Sequence, residues 1–181
     1  MSKRVEQMKI LAVHIADIIV AAVVIISVYT DIKERKILNA VVLPAALAGL
    51  AVNSVFSGMD GFIFSLKGLG AGIGLLFIPF VLGGFGAGDV KLMGAIGALK
   101  GALFAFKAFL ATGIAGGILA ILLLVKQGRL LATLKRIWLS FFLGSVFKVN
   151  TLKSLDKAEF HESLPYGLAI GIGTLLAYLV G

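Results

Sequence analysis

Two aspartates, Asp31 and Asp89, have the positions along the chain that an acid–base pair requires. Asp31 follows the apolar run 10–29, and Asp89 follows the glycine-rich run 83–88. Two long apolar segments separate the aspartates, and two membrane crossings return a chain to the side that it left. Two carboxylates beside one water share a proton, so one can accept a proton from the water while the other donates to a carbonyl oxygen. The pair could therefore hydrolyse a peptide bond without a metal.

Simpler roles for both aspartates remain open on spacing alone. Asp31 could cap the basic loop 33–36, and Asp89 could cap its own helix or pair with Lys91. A third acid, Asp17, lies 14 residues before Asp31, a separation of about 21 Å along a helix. We therefore expect Asp17 to make a polar contact towards the far side of the membrane and to take no part in catalysis.

Gly86 and Gly88 leave the backbone before Asp89 without side chains. We expect this loop to adopt unusual torsions and to give an extended peptide room to approach. Irregular backbone at membrane depth is tolerated where it lines protein or water, so the loop predicts an active cleft. Other glycines recur four residues apart, a spacing that favours close helix packing in lipid. These pairs are Gly68/Gly72, Gly70/Gly74, Gly97/Gly101, Gly113/Gly117 and Gly167/Gly171.

The composition indicates that the solvent is a bilayer. Of 181 residues, 60% are apolar and only 14% are charged, whereas soluble domains have about 25% charged residues. The chain has no cysteine and two histidines, which excludes thiolate chemistry and argues against a metal site. We expect neither a metal nor another cofactor. The net charge of +8 is interpreted as orienting membrane helices, not as binding nucleic acid.

We predict an all-α polytopic membrane protein with six transmembrane helices, in a single domain 1–181. A helix needs about 20 mainly apolar residues to cross a bilayer. Five segments meet this requirement or come close to it: 10–29, 37–56, 61–85, 102–125 and 165–181.

The fourth helix in chain order, 89–99, is short at about 16 Å. We count it as a crossing because most basic residues then lie on one side, which the positive-inside rule makes cytoplasmic. Between the fifth and sixth helices, the apolar stretch 137–147 is too short to cross. It predicts a cytoplasmic amphipathic segment at the membrane interface.

The segment around Asp89 closely resembles the Gly-x-Gly-Asp motif of type IV prepilin peptidases, a family of membrane aspartic proteases. The likeness runs through Gly86-Ala87-Gly88-Asp89-Val90-Lys91-Leu92-Met93-Gly94 and on to Ala98. The stretch from Asp31 to Asn39 is similar to the family's first aspartate region, with Leu38 where proline is common. The opening of the family's last helix resembles Leu164-Pro165-Tyr166-Gly167.

The resemblance implies that Asp31 and Asp89 are the catalytic residues. It also implies a site shaped by other residues of these motifs, namely Gly86, Gly88, Lys91, Asn39, Pro165, Tyr166 and Gly167. The implied activity is removal of the basic leader peptide of a prepilin-type substrate, at the cytoplasmic face of the cell (inner or plasma) membrane. The partners would be that substrate and the lipid bilayer, with no cofactor.

The spacing of the first motif indicates which form of the family the chain resembles. Only seven residues separate Asp31 from Asn39, and the chain has no cysteine. Bifunctional members carry a cytoplasmic insertion with paired Cys-x-x-Cys motifs, associated with N-methylation of the cleaved pilin. The resemblance therefore implies the short, peptidase-only form.

Two other functions remain open from the sequence. A presenilin-like intramembrane protease shares Gly-x-Gly-Asp, although Asp31 follows Tyr29-Thr30 here and Pro165-Tyr166-Gly167 differs from the Pro-Ala-Leu pattern of those enzymes. A non-enzymatic proton-coupled transporter or channel could use Asp17, Asp31 and Asp89 as a relay. Cleavage of a substrate in detergent would separate a protease from a transporter, because transport needs a sealed compartment.

Overall fold

The computed structural model describes residues 2–128, 130–135 and 166–180, and the regular elements within these ranges are all helices. A short helical stretch, 130–135, follows the fourth of five longer helices. The longer helices are α1 (Ser2–Glu34), α2 (Asn39–Val81), α3 (Ala87–Lys100), α4 (Ala102–Lys126) and α5 (Tyr166–Leu179). The all-α prediction is confirmed for this part of the chain. The predicted interfacial segment 137–147 and Pro165 lie outside the described residues.

Three of these helices, α1, α2 and α4, are long and apolar enough to cross a membrane. The apolar helix α5 is shorter, at 14 residues. Helix α3 also has 14 residues, or about 21 Å, which is longer than the predicted 89–99 but still short of a bilayer core. The lengths and composition of these helices agree with the membrane protein that the sequence predicts. Helix α1 extends further at both ends than the apolar run 10–29.

Helix α2 contains both the second and the third predicted segment and bends sharply between them. Its 43 residues are interrupted at Gly58, whose φ of 61° and ψ of −140° are not helical. Across the bend, the Asn53 side-chain amide donates a hydrogen bond to the Ser65 hydroxyl at 2.8 Å. The two halves of α2 therefore lie side by side, which a straight helix would not permit for residues twelve apart.

Helix α3 lies at the centre of the structure, with every residue from Val90 to Leu99 buried except Lys91. The second half of α2 approaches it closely because glycines meet. A Cβ on Gly68 would lie 1.9 Å from the Gly97 carbonyl oxygen, and one on Gly72 would lie 2.3 Å from that of Met93. Tight backbone contact of this kind stabilises helix pairs where lipid supplies no hydrophobic driving force.

The glycine-pair prediction is only partly correct. Gly68, Gly72 and Gly97 make close helix contacts, whereas a Cβ on any of four others would meet no atom of the described residues within 4 Å. These four open positions are Gly70, Gly74, Gly113 and Gly117. Spacing by four identifies a helix face but does not tell which face has a neighbour. Gly101 instead has a φ of 85° and ends α3.

The C-terminal end of α3 is completed by side chains of α2. The last carbonyls of a helix lack partners within it, and unsatisfied carbonyls are costly away from water. The Ser65 hydroxyl donates to the Ala98 carbonyl at 2.7 Å, and the Asn53 amide donates to the same oxygen at 3.2 Å. These contacts tie the bend of α2 to the end of α3.

We predict that Ser65→Ala lowers the free energy of unfolding by about 1–3 kcal/mol, because it removes a donor from buried carbonyls. The measurement is thermal unfolding of the purified protein in detergent. Ser54→Ala is the matched control, since the Ser54 hydroxyl bonds only within its own helix, to the Leu50 carbonyl. We expect the control to change stability by less than about 0.5 kcal/mol. Equal effects of the two substitutions would contradict this account of the α3 end.

The chain forms two compact units, one of residues 1–116 with 165–181 and one of residues 117–164. The first unit contains α1, α2, α3, α5 and the beginning of α4. All the side-chain contacts discussed below lie within this unit. The assignment of residues 1–181 to a single domain stays a prediction.

Candidate active site

A cleft of about 400 Å³ opens beside the beginning of α3, and both Asp31 and Asp89 line it. The two side chains come from different helices, α1 and α3, and are 9% and 6% exposed. Such burial distinguishes them from ordinary surface aspartates, which stay fully hydrated. The structure thus brings together the two residues that the sequence proposed as a pair.

Asp89 lies in the first turn of α3 and is held by the loop before it. The Gly86 N–H donates to Asp89 Oδ2 at 2.8 Å, and the Asp89 N–H donates back to the Gly86 carbonyl at 3.1 Å. The positive end of the helix dipole lies here and stabilises a nearby negative charge. The sequence predicted Asp89 as the N-cap itself, but the N-cap is Gly86 and Asp89 is the third residue of α3. Its side chain reaches back to the N-cap N–H, which fixes the carboxylate at the cleft.

Asp31 is held by a different helix. It lies one turn before the end of α1, and its Oδ2 accepts a hydrogen bond from the Gly167 N–H at 2.7 Å. Gly167 is in the first turn of α5. The Asp31 carboxylate therefore lies at the N-terminus of α5, as the Asp89 carboxylate lies at that of α3. The two carboxylates consequently have the same kind of partner, a backbone N–H at the beginning of a helix.

Gly167 is a position where only hydrogen fits. A Cβ there would lie 2.8 Å from Asp31 Oδ2 and 2.9 Å from Asp31 Cβ. Any side chain at residue 167 must displace the Asp31 carboxylate. The resemblance of residues 164–167 to a family motif implied that Gly167 shapes the site. The close approach of Asp31 explains why a glycine stands there.

The unusual torsions expected at Gly86 and Gly88 do not occur. Both residues line the cleft, but neither has a positive φ, which occurs in this loop only at Gly83, with a φ of 80°. A Cβ on Gly88 would lie 2.8 Å from the Cβ of Ile37. Gly88 therefore allows α3 to pack against the loop before α2, and its expected role in giving a peptide room to approach stays a prediction.

The remaining motif residues surround the cleft. The Lys91 ammonium group donates to Asn39 Oδ1 at 3.0 Å, which joins α3 to the first residue of α2, and Asn39 lines the cleft. The ring of Tyr166 packs on Phe85 with centroids 4.7 Å apart. Lys91 is therefore a partner of Asn39 and makes no ion pair with Asp89, one of the roles considered above.

Basic residues line the cleft beside the two aspartates. Arg35 and Lys36 both belong to its lining. Arg35, the residue after α1, has a φ of 54°, and its N–H donates to the Asp31 carbonyl at 2.9 Å. Two neighbouring carboxylates that share one proton leave the lining with two positive charges and one negative charge, so it does not attract a basic peptide.

A second polar cluster lies at the opposite end of α3. Lys100, the last residue of α3, forms an ion pair with Asp17, and the Tyr178 hydroxyl donates to Asp17 Oδ1 at 2.7 Å. The Lys100 ammonium also lies over the rings of Tyr178 and Phe104. Asp17 thus has a polar contact away from the cleft, as expected, although the sequence did not identify Lys100 and Tyr178 as its partners.

No group of three or more potential metal ligands occurs among the described residues. The expectation of an activity without metal or other cofactor stays a prediction. The catalytic roles of Asp31 and Asp89 and the site-shaping roles of the other residues also stay predictions, whereas their common location is a structural observation.

Comparison with known proteins identifies the family. A sequence profile of the type IV leader peptidase family matches residues 18–121, which is more than half of the chain. The matched range includes both cleft aspartates and excludes Tyr166 and Gly167. Searches with the chain matched no curated protein and no solved structure. The matched profile covers the stretch from Asp31 to Asn39 and the Gly-x-Gly-Asp motif at 86–89, so the chain belongs to the type IV leader peptidase family.

Proposed function

We propose that this protein is a membrane-embedded aspartic endopeptidase that removes the basic leader peptide of a prepilin-type substrate at the cytoplasmic face. Membership of a leader peptidase family supports the reaction class. The observation that carries the proposal is the single cleft lined by two buried aspartates, Asp31 and Asp89.

The proposed reaction uses the two carboxylates as one unit. Like charges at close range disfavour double ionisation, so the pair retains one proton. The ionised carboxylate takes a proton from water as the water oxygen bonds to the scissile carbonyl carbon, and the protonated carboxyl donates to the carbonyl oxygen. The carbon–nitrogen bond then breaks as the nitrogen takes up a proton, which gives a free amine and a new carboxyl group.

Backbone contacts prepare the pair for this chemistry. The N–H groups of Gly86 and Gly167 each bind Oδ2 of one aspartate, and we expect Oδ1 of each to face the water. Fixed donors need no rearrangement when charge develops, which lowers the barrier relative to mobile water. The hydrogen bond from Lys91 to Asn39 would fix the position of α3 relative to the beginning of α2 beside the cleft.

We propose that the chain crosses the membrane six times, with the cleft on the cytoplasmic side. The two halves of α2 would form the second and third crossings, and the short helix α3 would form the fourth. This topology is supported by the positions of the two polar clusters, since Asp89 lies in the first turn of α3 and Lys100 is its last residue. The bend of α2 at Gly58 and the Lys100 end of α3 would then face outwards. The cytoplasmic interfacial segment between the fifth and sixth helices belongs to the same proposal.

Cysteine labelling tests this topology, because the natural chain contains no cysteine to react. In intact cells, we expect an impermeant thiol reagent to label Asp60→Cys but not Gln127→Cys, since an odd number of crossings separates the two positions. Both residues are exposed. Labelling of Gln127→Cys should appear after permeabilisation. Labelling of both variants in intact cells would mean that α3 does not cross.

Cleavage in detergent tests the function itself. The family resemblance implies that a prepilin-type substrate has a hydrophobic helix directly after its basic leader. The purified protein should cut such a substrate, and mass spectrometry should locate the cut between the leader and this apolar segment. A cut inside the apolar segment would instead favour a presenilin-like activity. A complete absence of cleavage would favour the transporter alternative, which the separate position of Asp17 already weakens.

A further inference from the structure

A second cavity, of about 650 Å³, forms a groove along α1 and α5. It extends from Asp17 and Tyr178 to Tyr29 and Ile32. Asp17 and Ile32 are 15 positions apart, which corresponds to about 22 Å of helix. Apolar side chains of both helices line most of its length, including Val24, Ile25, Val28, Leu168, Ile172 and Leu175.

A glycine forms the floor of this groove. A Cβ on Gly171 would lie 2.7 Å from Val28 Cγ2, so the missing side chain lets α5 approach α1. The rims project further, because Ile25 is 68% and Leu175 is 64% exposed. A concave apolar strip between two rims fits the ridge of a third helix, as in helix packing generally.

The groove ends at the aspartate cleft. Ile32 and Leu168 line the groove, and the residue before each, Asp31 and Gly167, makes the hydrogen bond that fixes the cleft carboxylate. Residues that line one end of the groove are therefore the chain neighbours of the two residues that form this hydrogen bond. A chain that leaves the groove at Ile32 arrives beside Asp31.

We propose that this groove binds the apolar helical segment of the peptidase substrate and directs the preceding peptide bond into the cleft. The inference rests on the proposed function and adds the surface that recognises the substrate. With one proton shared by the aspartates, the lining of the cleft is net positive and does not attract a basic leader, so we expect another surface to supply affinity. A helix satisfies its own backbone groups, and the groove accommodates about 15 residues of one.

Binding in the groove would also orient the substrate. The apolar helix would end near Ile32, and the chain before it would continue in extended form past Asp31. Holding the scissile bond near the attacking water converts part of the binding free energy into rate. Truncation of the apolar segment should therefore slow cleavage even when the leader is intact.

Crosslinking tests the occupant directly. Single cysteines at Ile25 and Leu175 would carry a photoreactive group, in an Asp89→Asn background that prevents turnover. We expect crosslinks to the apolar segment of a prepilin-type substrate. Matched controls at Leu47 and Ile114 are 66% and 65% exposed, lie outside both cavities and should give at least tenfold fewer. Equal yields at all four positions, or crosslinks from the groove to lipid or to a second copy of the chain in place of the substrate, would overturn the proposal.

Kinetics provide the second readout. Ile25→Trp and Leu175→Trp should lower kcat/KM for the full-length substrate at least tenfold, mainly through KM. Leu47→Trp and Ile114→Trp, at the control positions outside both cavities, should keep kcat/KM for the same substrate within about threefold of wild type. Normal kcat/KM in both Ile25→Trp and Leu175→Trp would refute the groove while wild-type cleavage leaves the proposed function standing. Failure of the wild-type protein to cut any such substrate would refute the proposed function instead.

Discussion

Asp31→Asn and Asp89→Asn should each reduce single-turnover cleavage of a prepilin-type substrate by about 10³-fold or more. An amide has nearly the shape of a carboxylate but can neither accept the proton of water nor donate one to the carbonyl oxygen as an acid. Each side chain is buried in the same cleft and accepts a backbone N–H. We therefore expect folded, inserted proteins that have lost the chemistry alone.

Asp17→Asn is the matched control for these substitutions. It changes the same functional group in the cluster at the opposite end of α3, where Asp17 pairs with Lys100. Because the change leaves the 16% exposed Lys100 side chain without its ion pair, stability should fall by about 1–3 kcal/mol. At saturating substrate, the single-turnover rate constant of the folded protein should stay within about threefold of wild type, because Asp17 lies at the end of the groove remote from the cleft and does not touch the reacting groups. A loss as large as that of Asp89→Asn would place Asp17 in the catalytic site.

Gly167→Ala should lower cleavage by about 10²-fold, an effect typical of displacing a catalytic group by about 1 Å. The new methyl group would lie 2.8 Å from Asp31 Oδ2, and the 2.7 Å hydrogen bond from the Gly167 N–H would be lost. The measurement is the single-turnover rate, with circular dichroism and thermal unfolding to establish that the variant folds.

Gly74→Ala is the control for the glycine substitution. It makes the same change within a helix, at a position where a Cβ meets no described atom within 4 Å, and its rate should equal that of wild type. Should Gly167→Ala cleave as fast as Gly74→Ala, the contact between α5 and Asp31 would have no part in the reaction.

The shared location of Asp31 and Asp89 could be predicted from the sequence because two long apolar segments lie between them. Two helical segments that lie side by side, as the two halves of α2 do, return the chain to the end from which it started. The shortness of α3 and its glycine-rich beginning were also visible in the local pattern. These features need only short-range information, which a single sequence contains.

The partners of these residues could not be predicted, since they join distant parts of the chain. Nothing near Asp31 indicates that the N–H of Gly167 will bind it, 136 residues later. The Asn53 and Ser65 contacts with the end of α3 depend on the bend at Gly58, and Asp17 meets Lys100 only after α1 and α3 pack together. Patterns of spacing identify faces of helices, whereas packing decides which faces meet.

The most direct test of the central claim is a double-mutant cycle on the two aspartates. Single-turnover rate constants would be measured for wild type, Asp31→Asn, Asp89→Asn and the double variant, with enzyme in excess and long incubation. Residues that act as one unit are strongly non-additive, so the double variant should be no slower than the slower single variant within about threefold. Two results would contradict a shared water held by Asp31 and Asp89. One is a double variant whose loss of rate equals the product of the two single losses, and the other is near-normal cleavage by either single variant.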